Sequence, residues 1–110
     1  MDLIMNRGDI YWVNLEPTRG SEMKKKRPCV VISVTPINKA RHTVVVVPLS
    51  TSAKPKPPLA VPVHFLGKTG VIVCDQIRAI DKSRLVKLVG QISAKDLHAL
   101  ESGLRQILSL

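Results

Sequence analysis

The sequence predicts a mainly β fold, a small and strongly bent barrel of short antiparallel strands with one amphipathic helix at the C-terminus. Three observations carry this. At least five short runs rich in Val and Ile are bounded by Gly, Pro, Asn and Ser. Nothing helical lies between those runs to make the crossovers of a parallel sheet. Only the tail repeats apolar side chains at helical spacing.

Taken in order, "GDIYWVNL" alternates, with Tyr11, Val13 and Leu15 on one face and Ile10, Trp12 and Asn14 on the other. "EPTRGSE" then reads as a Pro/Gly loop. "PCVVIS" and "TVVVVPLS" are β-branched runs separated by "VTPINKARH", as for neighbouring strands, and Pro48 marks an edge or a strand end. "TSAKPKPPLA" holds three prolines in ten residues and cannot sustain a regular ladder, so an extended, partner-contacting loop is expected there. "VPVHF" follows. After "LGKTG" the run "GVIVCDQIRAI" reads as one strand, with Asp75 on the face of Val71, Val73 and Ile77, and Gln76 and Arg78 on the other. In "RLVKLVGQIS", Val86, Leu88 and Ile92 alternate with Lys87, Val89 and Gln91, which suits a half-buried strand. Ser93 and Asp96 form a capping box, and Leu97, Leu100, Leu104, Ile107 and Leu108 continue it as a helix despite Gly103.

A chain of 110 residues is one domain's worth, so a single domain over 1–110 is expected. Against 8 acidic residues stand 17 Lys and Arg, a net charge of +9 that favours a polyanionic partner, nucleic acid first. No apolar run is long enough for a membrane span, and "MDLIMNRGD" lacks the pattern of a signal peptide, so a cytoplasmic location without membrane contact is expected. Cys29 and Cys74 then read as reduced core thiols.

Several chemistries fall away on the residue list. His42, His64 and His98 have no ligand-spaced partners, and Asp9, Glu16 and Glu22 are spread along a strand start and a loop, so neither a zinc site nor a two-metal nuclease is expected. Any hydrolysis should be metal-free, which suits RNA because the 2′-OH is a built-in nucleophile. The protein must then deprotonate it, neutralise charge on the phosphoryl oxygens and assist the leaving 5′-oxygen. In "MKKKRPCVVIS", Lys24, Lys25 and Lys26 can attract the RNA backbone from a loop, while Arg27 is fixed at the start of a strand and can present a planar fork to a phosphate. Ser50 and Thr51 stand at the end of the third strand, where a hydroxyl can meet a phosphate or serve merely as a turn residue.

Together "RGDIYWVNLEPTRGSE", "KRPCVVIS", "VVVVPLSTSAK" and "VIVCDQIRAIDKSRL" resemble, in order and spacing, the MazF/PemK family of toxin endoribonucleases from bacterial toxin–antitoxin pairs. The resemblance implies an SH3-like barrel, a two-fold homodimer, no cofactor, and metal-independent cutting of single-stranded RNA to 2′,3′-cyclic phosphate and 5′-OH ends. The family's catalytic Arg matches Arg27. Its catalytic hydroxyl, commonly Thr, aligns with Ser50, which leaves Ser50 or Thr51 as the working group. RNA contacts are expected from Arg19, Glu22, Lys24, Lys25 and Lys26 in the first loop, Lys54 in the proline-rich loop, and Asp75, Gln76 and Arg78 in "DQIR". Where PemK-type members carry an Arg and a His, this chain has Val73 and Ser21, so the MazF-type arrangement is expected. A cognate antitoxin with an acidic C-terminal tail is the implied partner, with operator DNA reached only through it. The alternatives are a non-catalytic small-barrel RNA-binding module, disfavoured by only three aromatic residues, and a basic groove for an acidic peptide.

Overall fold

The computed structural model describes residues 4–17, 19–20, 22 and 25–110. Seven strands follow one another as β1 (Asp9–Asn14), β2 (Lys26–Val31), β3 (Thr43–Ser50), β4 (Ala60–Phe65), β5 (Lys68–Val73), β6 (Arg78–Asp81) and β7 (Leu85–Gln91). Helix α1 (Thr35–Ala40) lies between β2 and β3, and α2 (Ala94–Leu108) ends the chain. All pairings are antiparallel, in the order β4-β5-β3-β2-β1-β7 with β6 on β3. The fold class is thus the one expected, except that no ladder joins β4 to β7 to close the barrel among the described residues.

β3 is the trunk of this sheet. Its first half pairs with β6 from Thr43 to Val46, its middle with β2 through Val46–Pro48, and its end with β5 through Leu49 and Ser50. A strand that changes partners along its length bends the sheet, and buried side chains collect on both of its faces. Because side chains alternate across a strand, Ile10, Val30, Val47, Leu49 and Ile72 gather in one buried cluster and Tyr11, Val13, Cys29, Val31, Val46 and Ile80 in another. Both cysteines are buried and unpaired with each other.

Helix α2 covers the first cluster with Leu100 and Leu104. Ser93 caps it by accepting from the Asp96 N–H at 3.1 Å. Gly103 is the point of closest approach: a Cβ there would stand 2.9 Å from Cys74 Sγ and 3.2 Å from the Pro58 carbonyl oxygen. That accounts for a glycine inside an otherwise regular helix. No helix among the described residues is long and apolar enough to cross a membrane.

Four local expectations need correction. "VTPINKARH" contains a short helix, started by its proline and pinned by buried Asn38, whose side-chain amide donates to the Met5 and Ser33 carbonyls at 2.8 and 2.9 Å. The run "GVIVCDQIRAI" is not one strand, because Cys74–Gln76 form a 3-10 turn that lets the chain leave β5 and join β3 as β6. Asp75 and Gln76 therefore occupy a turn rather than opposite strand faces. Lys26 belongs to β2, opposite Asn14, and not to the loop. Val86 and Leu88, expected on a half-buried strand, are both 53 % exposed on β7 at the edge of the sheet.

Candidate active site

A cleft of about 300 Å³ opens where β2 and β3 part, lined by Trp12, Arg27, Pro28, Leu49, Ser50, Thr51, Ser52, Phe65, Leu66 and Lys68. The parting has a local cause. The β2–β3 ladder runs from Val31↔Val46 to Cys29↔Pro48 and stops. One more step would set Pro28 opposite Leu49, but proline has no N–H to donate. The Leu49 carbonyl instead receives a long 3.5 Å contact from Arg27 Nη1. Arg27 and Ser50 thus lie just past the last ladder pair, at the mouth of the cleft.

Ser50 is 5 % exposed, and its hydroxyl oxygen accepts from the Ser52 and Ala53 N–H groups at 3.2 and 3.0 Å. Its Oγ also lies 3.3 Å from Ser52 Oγ. With two backbone donors on the oxygen, its proton is what the hydroxyl has left to share, with Ser52 Oγ here or with a bound phosphate. Thr51 is exposed beside it. Beneath them Gly70 comes so close that an added Cβ would overlap the Ser50 carbonyl oxygen and stand 2.7 Å from Phe65 Cε1. A glycine in a strand is the residue that permits such a backbone approach.

Charge is concentrated on the same sheet. Burial pushes the Cys29 thiol up to about 12, and the guanidiniums of Arg27 and Arg78 pull it the other way. Arg27 lies on β2 and Arg78 on β6, the two strands that pair with the middle and the first half of β3. Among the described residues no three His, Cys, Asp or Glu side chains come together as a metal-ligand set.

Of the residues singled out in the sequence, the cleft gathers Arg27, Ser50 and Thr51. Arg19 and Glu22 face each other across a turn of the first loop, with the Arg19 N–H on Glu22 Oε1 at 2.6 Å. Exposed Lys25 has φ of 68° and donates its N–H to Glu16 Oε1 at 2.9 Å. Lys26 and Lys54 are exposed, Asp75 is exposed on its turn, and Gln76 and Arg78 are half-buried. None of these lines the cleft. Lys24 and Ser21 lie outside the described residues. Missing from the sequence-based set were Trp12, Lys68, Gly70 and Arg84, whose guanidinium clamps the first loop through the Glu16 carbonyl.

Residues 6–108 match the family model described as PemK-like, MazF-like toxin of type II toxin–antitoxin system. Endoribonuclease MazF9 of Mycobacterium tuberculosis is 34% identical over 117 aligned positions, covering 97% of this chain and 98% of its own. Endoribonuclease MazF6 of the same species is 30% identical, covering 98% of this chain and all of its own. Among solved structures, a crystal structure of MazF from Deinococcus radiodurans superposes with a TM-score of 0.89 at 27% identity, over 99% of this chain and 100% of that one.

Proposed function

The chain belongs to the family of PemK-like, MazF-like toxins of type II toxin–antitoxin systems, and from that premise we propose that it is an endoribonuclease cutting single-stranded RNA in the cleft of Arg27, Ser50 and Thr51. The observation that carries the site assignment is the convergence of a guanidinium with two strand-end hydroxyls in a cleft of about 300 Å³. The 2′-OH of the nucleotide 5′ of the cut loses its proton and attacks the adjacent phosphorus, and the 5′-oxygen leaves as it takes up a proton. A 2′,3′-cyclic phosphate and a 5′-OH result. Arg27 neutralises the charge gathering on the phosphoryl oxygens, where a positioned donor acts more strongly than in water. Ser50, with its oxygen occupied by two N–H groups, turns its O–H from Ser52 Oγ to hydrogen-bond a phosphoryl oxygen. Thr51 is the second candidate for that role. No metal is needed, because the substrate carries its own nucleophile.

The exposed cations Arg19, Lys25, Lys26 and Lys54 guide the RNA backbone toward the cleft, with Glu22, Lys24, Asp75, Gln76 and Arg78 as further RNA contacts. The partner is a cognate antitoxin with an acidic tail, which suits a net charge of +9, and operator DNA is reached only through it. A homodimer is favoured by Val86 and Leu88, exposed on edge strand β7. The whole chain works as one toxin domain in the cytoplasm.

The test is incubation of the purified protein with a long single-stranded RNA in excess EDTA. Discrete fragments bearing 5′-OH and 2′,3′-cyclic ends are expected. Cleavage of RNA lacking the 2′-OH at the cut would overturn the mechanism.

A further inference from the structure

We propose that Trp12 is the stacking platform for a nucleobase flanking the scissile phosphate, a role that rests on the cleft being the RNA-cleaving site. Trp12 is the single tryptophan of the chain and is 37 % exposed, although its neighbours Tyr11 and Val13 are 2 % and 0 % exposed. The strand register sets it between Pro28 on β2 and Lys87 on β7. Directly opposed cross-strand side chains stand close enough to restrict one another, which favours a fixed indole at the surface. A large amphipathic ring left open at a cleft is a binding surface waiting for a planar group.

The lining of the cleft divides into two parts that match a nucleotide. Trp12, Pro28, Leu49, Phe65 and Leu66 supply the apolar part, suited to a base. Arg27, Ser50, Thr51, Ser52 and Lys68 supply the cations and hydroxyls, suited to a phosphate. At about 300 Å³ the cleft is at the small end of ligand pockets and fits one nucleotide unit rather than a run of them.

The far wall is built in advance. Leu66, at the tip of the β4–β5 hairpin, has φ of 50°, a left-handed conformation that a leucine does not favour. Its Cδ2 lies 2.9 Å from where a Cβ on Gly90 of β7 would stand. The hairpin tip is therefore wedged against β7, near the gap where β4 and β7 fail to pair. Phe65 and Lys68 pair in that hairpin, and both line the cleft. A base slides between Trp12 and Leu66 while its phosphate meets Arg27 and Lys68.

The test first maps the cut on a long RNA and then uses a short oligoribonucleotide spanning it, with a 2′-deoxy nucleotide 5′ of the cut so that it cannot react. Because Trp12 is the only tryptophan, its emission should be quenched saturably by that oligonucleotide. On the cleavable version, Trp12→Ala should raise KM by roughly ten- to a hundredfold with a smaller change in kcat, and Trp12→Phe should recover most of the loss. Removing the base on one side of the cut should cost the parent a similar factor, and should cost Trp12→Ala nothing more. Unchanged emission, or abasic losses equal in parent and Trp12→Ala at both flanking positions, would overturn the stacking role. Quenching by an acidic peptide but not by RNA would also overturn it. A parent protein that cuts no RNA overturns the cleavage reading itself, whereas normal cutting with additive losses overturns only the role of Trp12.

Discussion

Gly70→Ala tests whether the backbone beneath Ser50 sets the chemistry. The added methyl would overlap the Ser50 carbonyl oxygen and meet Phe65 Cε1 at 2.7 Å. The ring can tilt, but the carbonyl belongs to a strand paired through Ser50↔Val71, so it moves only with the end of β3. Crowding of this kind costs about 1–3 kcal/mol, offset by about 0.4–1 kcal/mol from the reduced freedom of the unfolded chain. A net destabilisation of about 1–2 kcal/mol is expected in urea unfolding. The larger effect falls on the rate. Displacing the Ser50 backbone by an amount approaching about 1 Å misplaces its hydroxyl against the phosphate, an error that costs about a hundredfold when reacting groups are held to near-attack geometry. Single-turnover cleavage at saturating RNA should therefore slow roughly ten- to a hundredfold, with RNA affinity nearly unchanged. Gly103→Ala is the control, since it crowds Cys74 Sγ and the Pro58 carbonyl under α2 and should lower stability without slowing the folded enzyme. Equal rates for Gly70→Ala and the parent would refute the claim that this contact positions Ser50.

Three further outcomes follow from the site. Arg27→Ala should lower the single-turnover rate by roughly a hundredfold or more while RNA affinity falls modestly, and Arg27→Lys should restore binding far better than turnover because it loses the planar fork. If Arg27→Ala cuts saturating RNA as fast as the parent, Arg27 is only a binding contact. Ser50→Ala and Thr51→Ala, measured separately, should slow cleavage unequally with Ser50→Ala the worse; the reverse order would move the working proton to exposed Thr51. Burial pushes Cys29 up to about 12 and Cys74 up to about 11, whereas unfolded thiols ionise near about 8.5. The folded state therefore keeps protons that the unfolded state loses, so the stability these thiols contribute is whole below about pH 8.5 and falls as pH rises toward those values. Urea midpoints should drop more steeply between about pH 9 and 11 for the parent than for Cys29→Ala, and parallel curves would refute this.

The β-branched runs and the capped tail helix were legible because each is specified locally, by alternation in "GDIYWVNL" or by Ser93 and Asp96 around an apolar stripe. Arg27, Ser50 and Thr51 were legible as a set only through their spacing along a familiar pattern. What could not be read depends on partners distant in sequence. The turn at Cys74–Gln76 breaks a run of strong strand formers because β5 and β6 serve two different stretches of β3. Helix α1 exists where Asn38 finds carbonyls on Met5 and Ser33. Trp12 looked like one more apolar strand residue until the register set it beside Pro28 and Lys87. Gly70 was indistinguishable from any turn-adjacent glycine until the Ser50 backbone was found over it.

The dipeptide Arg27-Pro28 joins these strands of argument. Along β2 the residue opposite Leu49 ought to donate an N–H to keep the ladder going, and a proline there cannot. The sheet consequently opens after Cys29↔Pro48, leaving a strand-end carbonyl on Leu49 and a strand-end hydroxyl on Ser50 with no β2 backbone partner. Arginine is the side chain long enough to reach that carbonyl from the preceding position, and it makes the 3.5 Å contact. A phosphate at the mouth of the cleft can offer the same guanidinium a charge-assisted bond. The same proline is the cross-strand neighbour of Trp12 and lines the cleft with it. One residue with no N–H thus parts the ladder next to Arg27 and across from Trp12, which is why cation, hydroxyl and indole line a single cleft.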